Sequence, residues 1–280
     1  MSQKNNTRYC FALTIAGSDS GGGAGVQADL KAFAAVGAFG LSAITAITAQ
    51  NTHSVNAIYP IGADAVTAQL LALTSDFPID AIKTGMLFDA NTIEAVTKIV
   101  VTLQAPLVVD PVMIATSGAK LLDENAISAY RPLIARATLL TPNLPEAQAL
   151  LNCSAINTRD DMLLAANRLL GFGCQAVLLK GGHAPAENGK NDQIADLLVT
   201  QTVNGINARW FATDRLAVRG HGTGCTLASL ITAHLARGLN LESATENAIT
   251  MLRIALKHAL SIGNGAVHTP DPFFSAYRVD

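Results

Sequence analysis

The sequence predicts one α/β domain in three layers, α/β/α, with a mostly parallel central sheet and helices on both faces. Two observations carry that expectation. Short apolar runs recur along the chain with helix-length segments between most of them, which is the pattern of strands joined by helical crossovers. The composition, 50% hydrophobic and only 14% charged over 280 residues, suits strands buried on both faces of a sheet. At this length a single core suffices, since roughly three-quarters of the unfolded chain's surface can be buried.

Taken in order, the first run, Cys10 to Ile15, ends in a glycine-rich stretch from Ala16 to Gly25 and is followed by a helical pattern to about Val36. That reads as strand, glycine loop, helix. The least charged stretch, Ala32 to Gln50, has the length of a membrane span but is Ala/Gly/Thr-rich and broken by Gly37 and Gly40. It reads as the end of a helix, a turn and a strand over Leu41 to Thr48. Further strands are expected at Ile79 to Lys83, Leu107 to Asp110, Ala137 to Thr141 and Ala176 to Lys180. The segments Asp192 to Thr200 and Ile206 to Ala212 flank Asn204-Gly205, the signature of a hairpin at a sheet edge. Two helices close the chain, Gly222 to Arg237 and Leu241 to Ser261, separated at Gly238-Leu239-Asn240. Met1 to Tyr9 fits no element and is expected to be a flexible tail, with residues 10–280 forming the single domain.

Composition also narrows the partners. A formal net charge of -2 with no local Lys/Arg cluster gives no field for a nucleic-acid backbone. Cys10, Cys153, Cys174 and Cys225 are widely spaced, with no CxxC pair and no secretory signal before them, so reduced thiols in a cytoplasm are expected. The remaining partner class is a small molecule, with no membrane involved.

The strand ends carry the chemistry. Gly17 to Gly25 lets backbone come close to a ligand or to other backbone, but it fits neither GxxxxGK[ST] nor GxGxxG, and a plain tight turn explains it equally well. A second glycine site, His221-Gly222-Thr223-Gly224-Cys225-Thr226, opens the penultimate helix. Its amides form an anion-receptive helix N-terminus, and the same terminus favours thiolate at Cys225. The plainer alternative is tight packing at Gly222 and Gly224 around a small buried Cys225. Asn143 with Glu146 three residues on is nearly a capping box, which could explain both residues. Alternatively Glu146 and Asp110, at two strand ends, hold water on a Mg²⁺ bridging nucleotide phosphates. Lys180, also at a strand end, places a compact positive charge near those phosphates.

Seven motifs, Ala16 to Lys31, Thr48 to Thr52, Lys83 to Leu87, Asp110 to Met113, Thr141 to Ala147, Lys180 to His183 and His221 to Thr226, resemble in order and spacing those of the hydroxymethylpyrimidine and phosphomethylpyrimidine kinases, members of the ribokinase-like class. The resemblance runs from about residue 10 to 260. It implies a ribokinase-like fold, ATP and Mg²⁺ as cofactors, and phosphorylation of 4-amino-5-hydroxymethyl-2-methylpyrimidine and then of its monophosphate for thiamine synthesis. Motif by motif, it implies that Gly17, Asp29, Gln50, Met86 and Val112 enclose the pyrimidine, with Gln50 on its polar edge. It assigns Asp110, Asn143, Glu146, Lys180 and Thr223 to the nucleotide phosphates and metal. Cys225 falls where many ribokinase-like enzymes carry an aspartate base, beside Gly222 and Gly224 of the anion hole. It also implies a homodimer. Three other functions compete: a pyridoxal kinase of the same fold, a Cys/His hydrolase using Cys225 and His221, and a non-catalytic pyrimidine-binding protein.

Overall fold

The structure is a computed structural model that describes residues 9–113, 126–183, 193–218 and 220–273. In chain order its elements are β1 (Phe11–Asp19), α1 (Gly25–Val36), β2 (Phe39–Gln50), β3 (Val55–Pro60), α2 (Ala63–Asp76), β4 (Ala81–Thr84), α3 (Ala90–Val100), β5 (Leu107–Val109), α4 (Tyr130–Arg136), β6 (Leu139–Leu140), α5 (Leu144–Leu151), α6 (Arg159–Leu170), β7 (Ala176–Leu179), β8 (Gln193–Thr202), β9 (Gly205–Asp214), α7 (Thr223–Ala236) and α8 (Leu241–Lys257). The strands form one sheet in the order β3-β2-β1-β4-β5-β6-β7-β8-β9. Pairing is parallel from β2 through β7, while β3 at one edge and β8 and β9 at the other run antiparallel to their neighbours.

The chain enters this sheet in its interior and leaves in both directions. From β1 it steps one way to β2 through α1, and it resumes on the other side of β1 with β4. Right-handed crossovers that progress in opposite directions must put their helices on opposite faces. Burial follows that rule: α1, α7 and α8 share one apolar core, while α2 to α6 share the other. Successive strand residues alternate between the two, Leu107 and Val109 facing one core and Val108 the other, as the two-residue period of a strand requires. The point between β1 and β4, where progression reverses, opens a crevice at the carboxyl ends of the strands.

The expected strands all form, though shorter at several ends. The Ala137 to Thr141 run is reduced to Leu139–Leu140, and β5 stops at Val109, so that Asp110 stands just beyond the strand. The hairpin forms as β8 and β9, with Gly205 at φ 117° completing the turn. One strand was not expected. β3 is a six-residue edge strand, nowhere buried and ending in Pro60, whose short apolar stretch Ala57-Ile58-Tyr59 shows no alternating pattern. The last helix ends at Lys257 instead of Ser261; the chain then doubles back so that Leu260 and Thr269 exchange backbone hydrogen bonds of 2.9 and 3.0 Å. Most of the expected flexible tail, residues 1–8, lies outside the described residues.

Candidate active site

A cavity of about 770 Å³ opens at the crevice. The two glycine loops meet at its rim. The first closes around the carboxylate of Asp19, which accepts hydrogen bonds from the backbone N–H groups of Gly21 (2.8 Å), Gly23 (3.1 Å) and Ala24 (2.8 Å). Those amides are therefore committed to the protein's own carboxylate and do not receive a phosphate. The second loop bends at Gly222, φ 73°, and a Cβ there would collide with the carbonyl of Gly23. Only glycine permits both the backbone angle and this backbone-to-backbone contact. His221 ties the loops together: its Nε2 lies 3.0 Å from Asp19 Oδ2 and 3.1 Å from the side-chain amide of Gln50. Burial disfavours an ionised Asp19, but the hydrogen bond from His221 and the loop amides outweigh it and hold the carboxyl below its usual range.

Beneath the first loop lies a fully buried ion pair. Lys83 Nζ, on β4, is 2.9 and 2.8 Å from the two oxygens of Asp29 on α1, and the same carboxylate accepts from Thr14 and Ser229, each at 2.6 Å. Burial alone would lower the lysine's pKa, yet Asp29, Cys225 and Asp110 raise it well above its usual value, so it stays charged. Lys83 reaches the cavity wall; Asp29 does not, and touches the cavity only through Lys83. Its expected place around the pyrimidine is therefore indirect, because its carboxylate is saturated by a lysine and two hydroxyls.

The start of α7 lines the cavity beside Lys83. Thr226 N closes the first helical turn on Gly222 O (2.9 Å), so the amides of Thr223, Gly224 and Cys225 precede any partner within the helix. The expected thiolate does not follow. Burial pushes the Cys225 thiol up to about 11, and Asp29 and Asp110 add to that, against the opposing pull of Lys83 and the Gly25 amide. Two neighbouring carboxylates and desolvation outweigh the helix terminus that local sequence emphasises.

On the far side the strand ends bring Asp110, Asn143, Glu146 and Lys180 together. Lys180 Nζ is 2.9 Å from Asp110 Oδ1 and 4.0 Å from Glu146 Oε2. The capping box is real: Asn143 and Glu146 each accept the other's backbone N–H at 2.8 Å. It uses one oxygen of Glu146 and leaves the carboxyl facing the cavity. Burial pushes Glu146 up to about 7 and Asp110 reinforces it, while Lys180 and the Asn143 and Met113 amides oppose it. Asp196, on β8, accepts from Gly181 N (2.8 Å) and is pushed by burial up to about 6. Among the described residues no group of three or more His, Cys, Asp or Glu side chains converges as a cage. Two carboxylates beside a cation are hard oxygen donors of the kind that suit a divalent cation carried in by phosphates, and do not form a full protein cage.

Gly17, Gln50, Met86 and Val112 line the cavity on the side of β1, β2 and β4, and Asp110, Asn143, Glu146, Lys180, Gly222, Thr223, Gly224 and Cys225 line the rest with Lys83. A Cβ on Gly17 would strike the Met86 methyl, so that glycine makes room for the thioether. Met86 and Val112 join Ala46 and Ile58 in a small apolar cluster apart from the two main cores. Sequence reasoning gave no individual role to Asp19, Lys83 or Asp196, and His221 entered only as a partner for Cys225 in the competing hydrolase reading. A signal existed for two of them: Lys83 and Asp196 interrupt apolar runs that are otherwise buried, where a charge needs a partner.

Comparison with known proteins identifies the family. The sequence profile of the family described as Phosphomethylpyrimidine kinase matches residues 19–270. The chain is 42% identical to the hydroxymethylpyrimidine/phosphomethylpyrimidine kinase of Bacillus subtilis, covering 95% of this chain and 96% of that one. It is 43% identical to the Escherichia coli enzyme of the same name, over 91% and 94% of the two chains. Among solved structures, pyridoxal kinase from Staphylococcus aureus in complex with AMP-PCP and pyridoxal superposes with a TM-score of 0.85 at 32% identity, covering 98% and 96%. Phosphomethylpyrimidine kinase from Clostridium difficile superposes with a TM-score of 0.75 at 37% identity, covering 88% and 98%.

Proposed function

The chain belongs to the phosphomethylpyrimidine kinase family, and we propose that it transfers the γ-phosphoryl group of ATP to the hydroxymethyl group of 4-amino-5-hydroxymethyl-2-methylpyrimidine, and then a second phosphoryl to that monophosphate, for thiamine synthesis. The observation that carries the reading is a single cavity with two unlike halves. An amide and an apolar floor, Gln50 with Met86 and Val112, face an anion-receptive helix start and a lysine, α7 and Lys180. The first half suits a flat heteroaromatic ring and the second suits phosphates.

On this reading Lys180 and the amides of Thr223, Gly224 and Cys225 stabilise the oxygens of the group in transfer. Phosphoryl transfer asks little covalent work of the protein, so positioning the hydroxyl against the phosphorus supplies most of the rate. Asp110 and Glu146 would hold Mg²⁺, which neutralises charge on the nucleotide phosphates when bound. Asn143 and Thr223 would contact the nucleotide phosphates. Cys225 would stand beside the acceptor hydroxyl, and the apolar cluster would exclude water from the ring's face.

The test is ATP consumption by the purified protein with the pyrimidine alcohol, its monophosphate and pyridoxal as acceptors. Turnover with the first two is the expected result, and consumption with pyridoxal alone would overturn it. Pyridoxal is the relevant competitor because the solved pyridoxal kinases superpose so closely, but at 32% identity they match this sequence less well than the pyrimidine kinases at 42 to 43%.

A further inference from the structure

The Gln50 side chain sits between two partners whose hydrogen-bonding roles are already decided. Its amide nitrogen is placed 3.1 Å from His221 Nε2 and its amide oxygen 3.4 Å from Thr48 Oγ1. A carboxamide turned by half a revolution has the same shape, so only the partners distinguish the two settings. Thr48 Oγ1 is 2.8 Å from the carbonyl oxygen of Ser18, which cannot donate. The single hydroxyl proton is therefore used there, and towards Gln50 the Thr48 oxygen only accepts. His221 Nε2 is 3.0 Å from Asp19 Oδ2, and that carboxylate, already accepting from three backbone amides, accepts again. Nε2 thus carries a proton and has no lone pair left to accept with, so towards Gln50 it can only share that N–H with Asp19 as a three-centre donor. Both partners demand the same setting, with the amide oxygen against His221 and the amide nitrogen against Thr48.

From this juxtaposition we propose that Asp19, acting through His221, is the positioning residue that fixes the Gln50 amide in one orientation and so sets the direction in which an aminopyrimidine enters. The proposal rests on the reading above in which Gln50 meets the ring's polar edge. After bonding its protein partners, the locked amide has one oxygen lone pair on the His221 side and one N–H on the Thr48 side. An exocyclic amino group next to a ring nitrogen is the complementary donor and acceptor pair. The amino group must then lie on the His221 side. In the pyrimidine alcohol the hydroxymethyl group is bonded to the carbon next to the one that bears the amino group, so it too is carried towards the loop that continues into Cys225. A ring without an adjacent donor and acceptor pair satisfies only half of the amide. The first glycine loop, whose amides bind no phosphate, has a purpose on this account: it holds the Asp19 carboxylate that sets the histidine.

Two measurements test this on the full-length protein. Nitrogen-15 NMR of labelled wild-type protein should show His221 protonated at Nε2; a bare, accepting Nε2 overturns the proposal with no mutation made. Steady-state kinetics with MgATP should then compare three variants. His221→Phe keeps a ring but cannot donate, and it should raise KM for the pyrimidine alcohol by about 10- to 100-fold, the effect of a buried hydrogen bond left unmade, while KM for ATP moves little. His221→Gln restores a donor at the same reach and should recover most of that loss. Gln50→Leu separates the underlying reading from the new one. If Gln50→Leu leaves KM for the pyrimidine unchanged, Gln50 does not read the ring and both fall. If Gln50→Leu is impaired but His221→Phe is not, or His221→Gln is as impaired as His221→Phe, the positioning role alone is wrong.

Discussion

The two halves of the cavity treat buried charge in opposite ways. On the side of β1, β2 and β4 every charge has its partner within the protein: Asp19 holds three loop amides and His221, and Asp29 holds Lys83 and two hydroxyls. On the side of β5, β6 and β7 one lysine, Lys180, serves Asp110 at 2.9 Å and Glu146 at 4.0 Å, and both Glu146 and Asp196 have their pKa values raised. The first half is finished before any ligand arrives, whereas the second carries acidic groups short of positive charge. Recognition of one particular ring benefits from groups already fixed in place. A site proposed to receive a metal with its phosphates would be better left for them to complete.

The largest effect expected from breaking the finished half is on folding. Lys83→Met should cost about 3 to 5 kcal/mol of stability in denaturant unfolding, because it strands the Asp29 carboxylate where both side chains are wholly buried. Asp29→Leu combined with Lys83→Met should recover most of that loss, since an apolar pair of similar volume removes the uncompensated charge. The recovered double variant should still phosphorylate poorly, because Lys83 also faces the cavity. A double variant no more stable than Lys83→Met would show that packing, and not the stranded charge, governs the site.

The unfinished half should reveal itself in pH dependence. Glu146 is raised from an ordinary 4.5 to about 7 in the folded protein, so between those values the native state holds a proton that the unfolded chain has released. Stability of the metal-free, nucleotide-free protein should then fall as pH rises through this window, by up to roughly 3 kcal/mol at about 1.4 kcal/mol per unit. Glu146→Gln keeps an acceptor for the Asn143 N–H but cannot ionise, so it should flatten that part of the profile. Denaturant titrations at pH 5 and pH 8 provide the check. Equal slopes in the parent and Glu146→Gln would mean the carboxyl is already satisfied and the two halves do not differ as described.

The same contrast explains what could be read in the sequence. Asp110 and Lys180 were legible because each ends an apolar run, and a polar group at the carboxyl end of a parallel strand faces the crevice; Glu146 was legible as the acid in the first turn of the helix that follows such a strand. Gly222 and Gly224 were legible because glycines opening a helix mark an amide-rich terminus. Local sequence says nothing of what stands across the fold. Asp19 and His221 are separated by 202 positions and Asp29 and Ser229 by 200, so their partnerships follow from how the two glycine loops and α1 and α7 pack together. For the same reason the sequence alone misjudged Cys225. The helix end is local and visible, but the desolvation and the two acids that raise the thiol come from distant elements. β3 escaped for a different reason, since an edge strand satisfied by one neighbour needs no distinctive pattern.

Cys225 lies where the halves meet, and it gives the smallest and sharpest test. With the thiol pushed up to about 11, only about one molecule in 10⁴ carries a thiolate at pH 7. If that thiolate takes the acceptor's proton, kcat/KM for the pyrimidine alcohol should climb close to tenfold per pH unit from 7 towards 10. General-base assistance is worth about 10² to 10⁴ in rate, and the scarcity of thiolate places the loss in Cys225→Ala near the lower figure, about 10²-fold at neutral pH. Cys225→Ala should also lose the pH-dependent climb, while Lys83 and Lys180, still present, control for other titrations at high pH. Cys225→Asp should recover part of the rate and flatten the profile, because a carboxylate is ionised throughout. A flat profile in the parent, with Cys225→Ala within a few-fold of it, would remove the thiol from the chemistry. Catalysis would then rest on the amides of Thr223, Gly224 and Cys225 and on Lys180, all of which that substitution leaves in place.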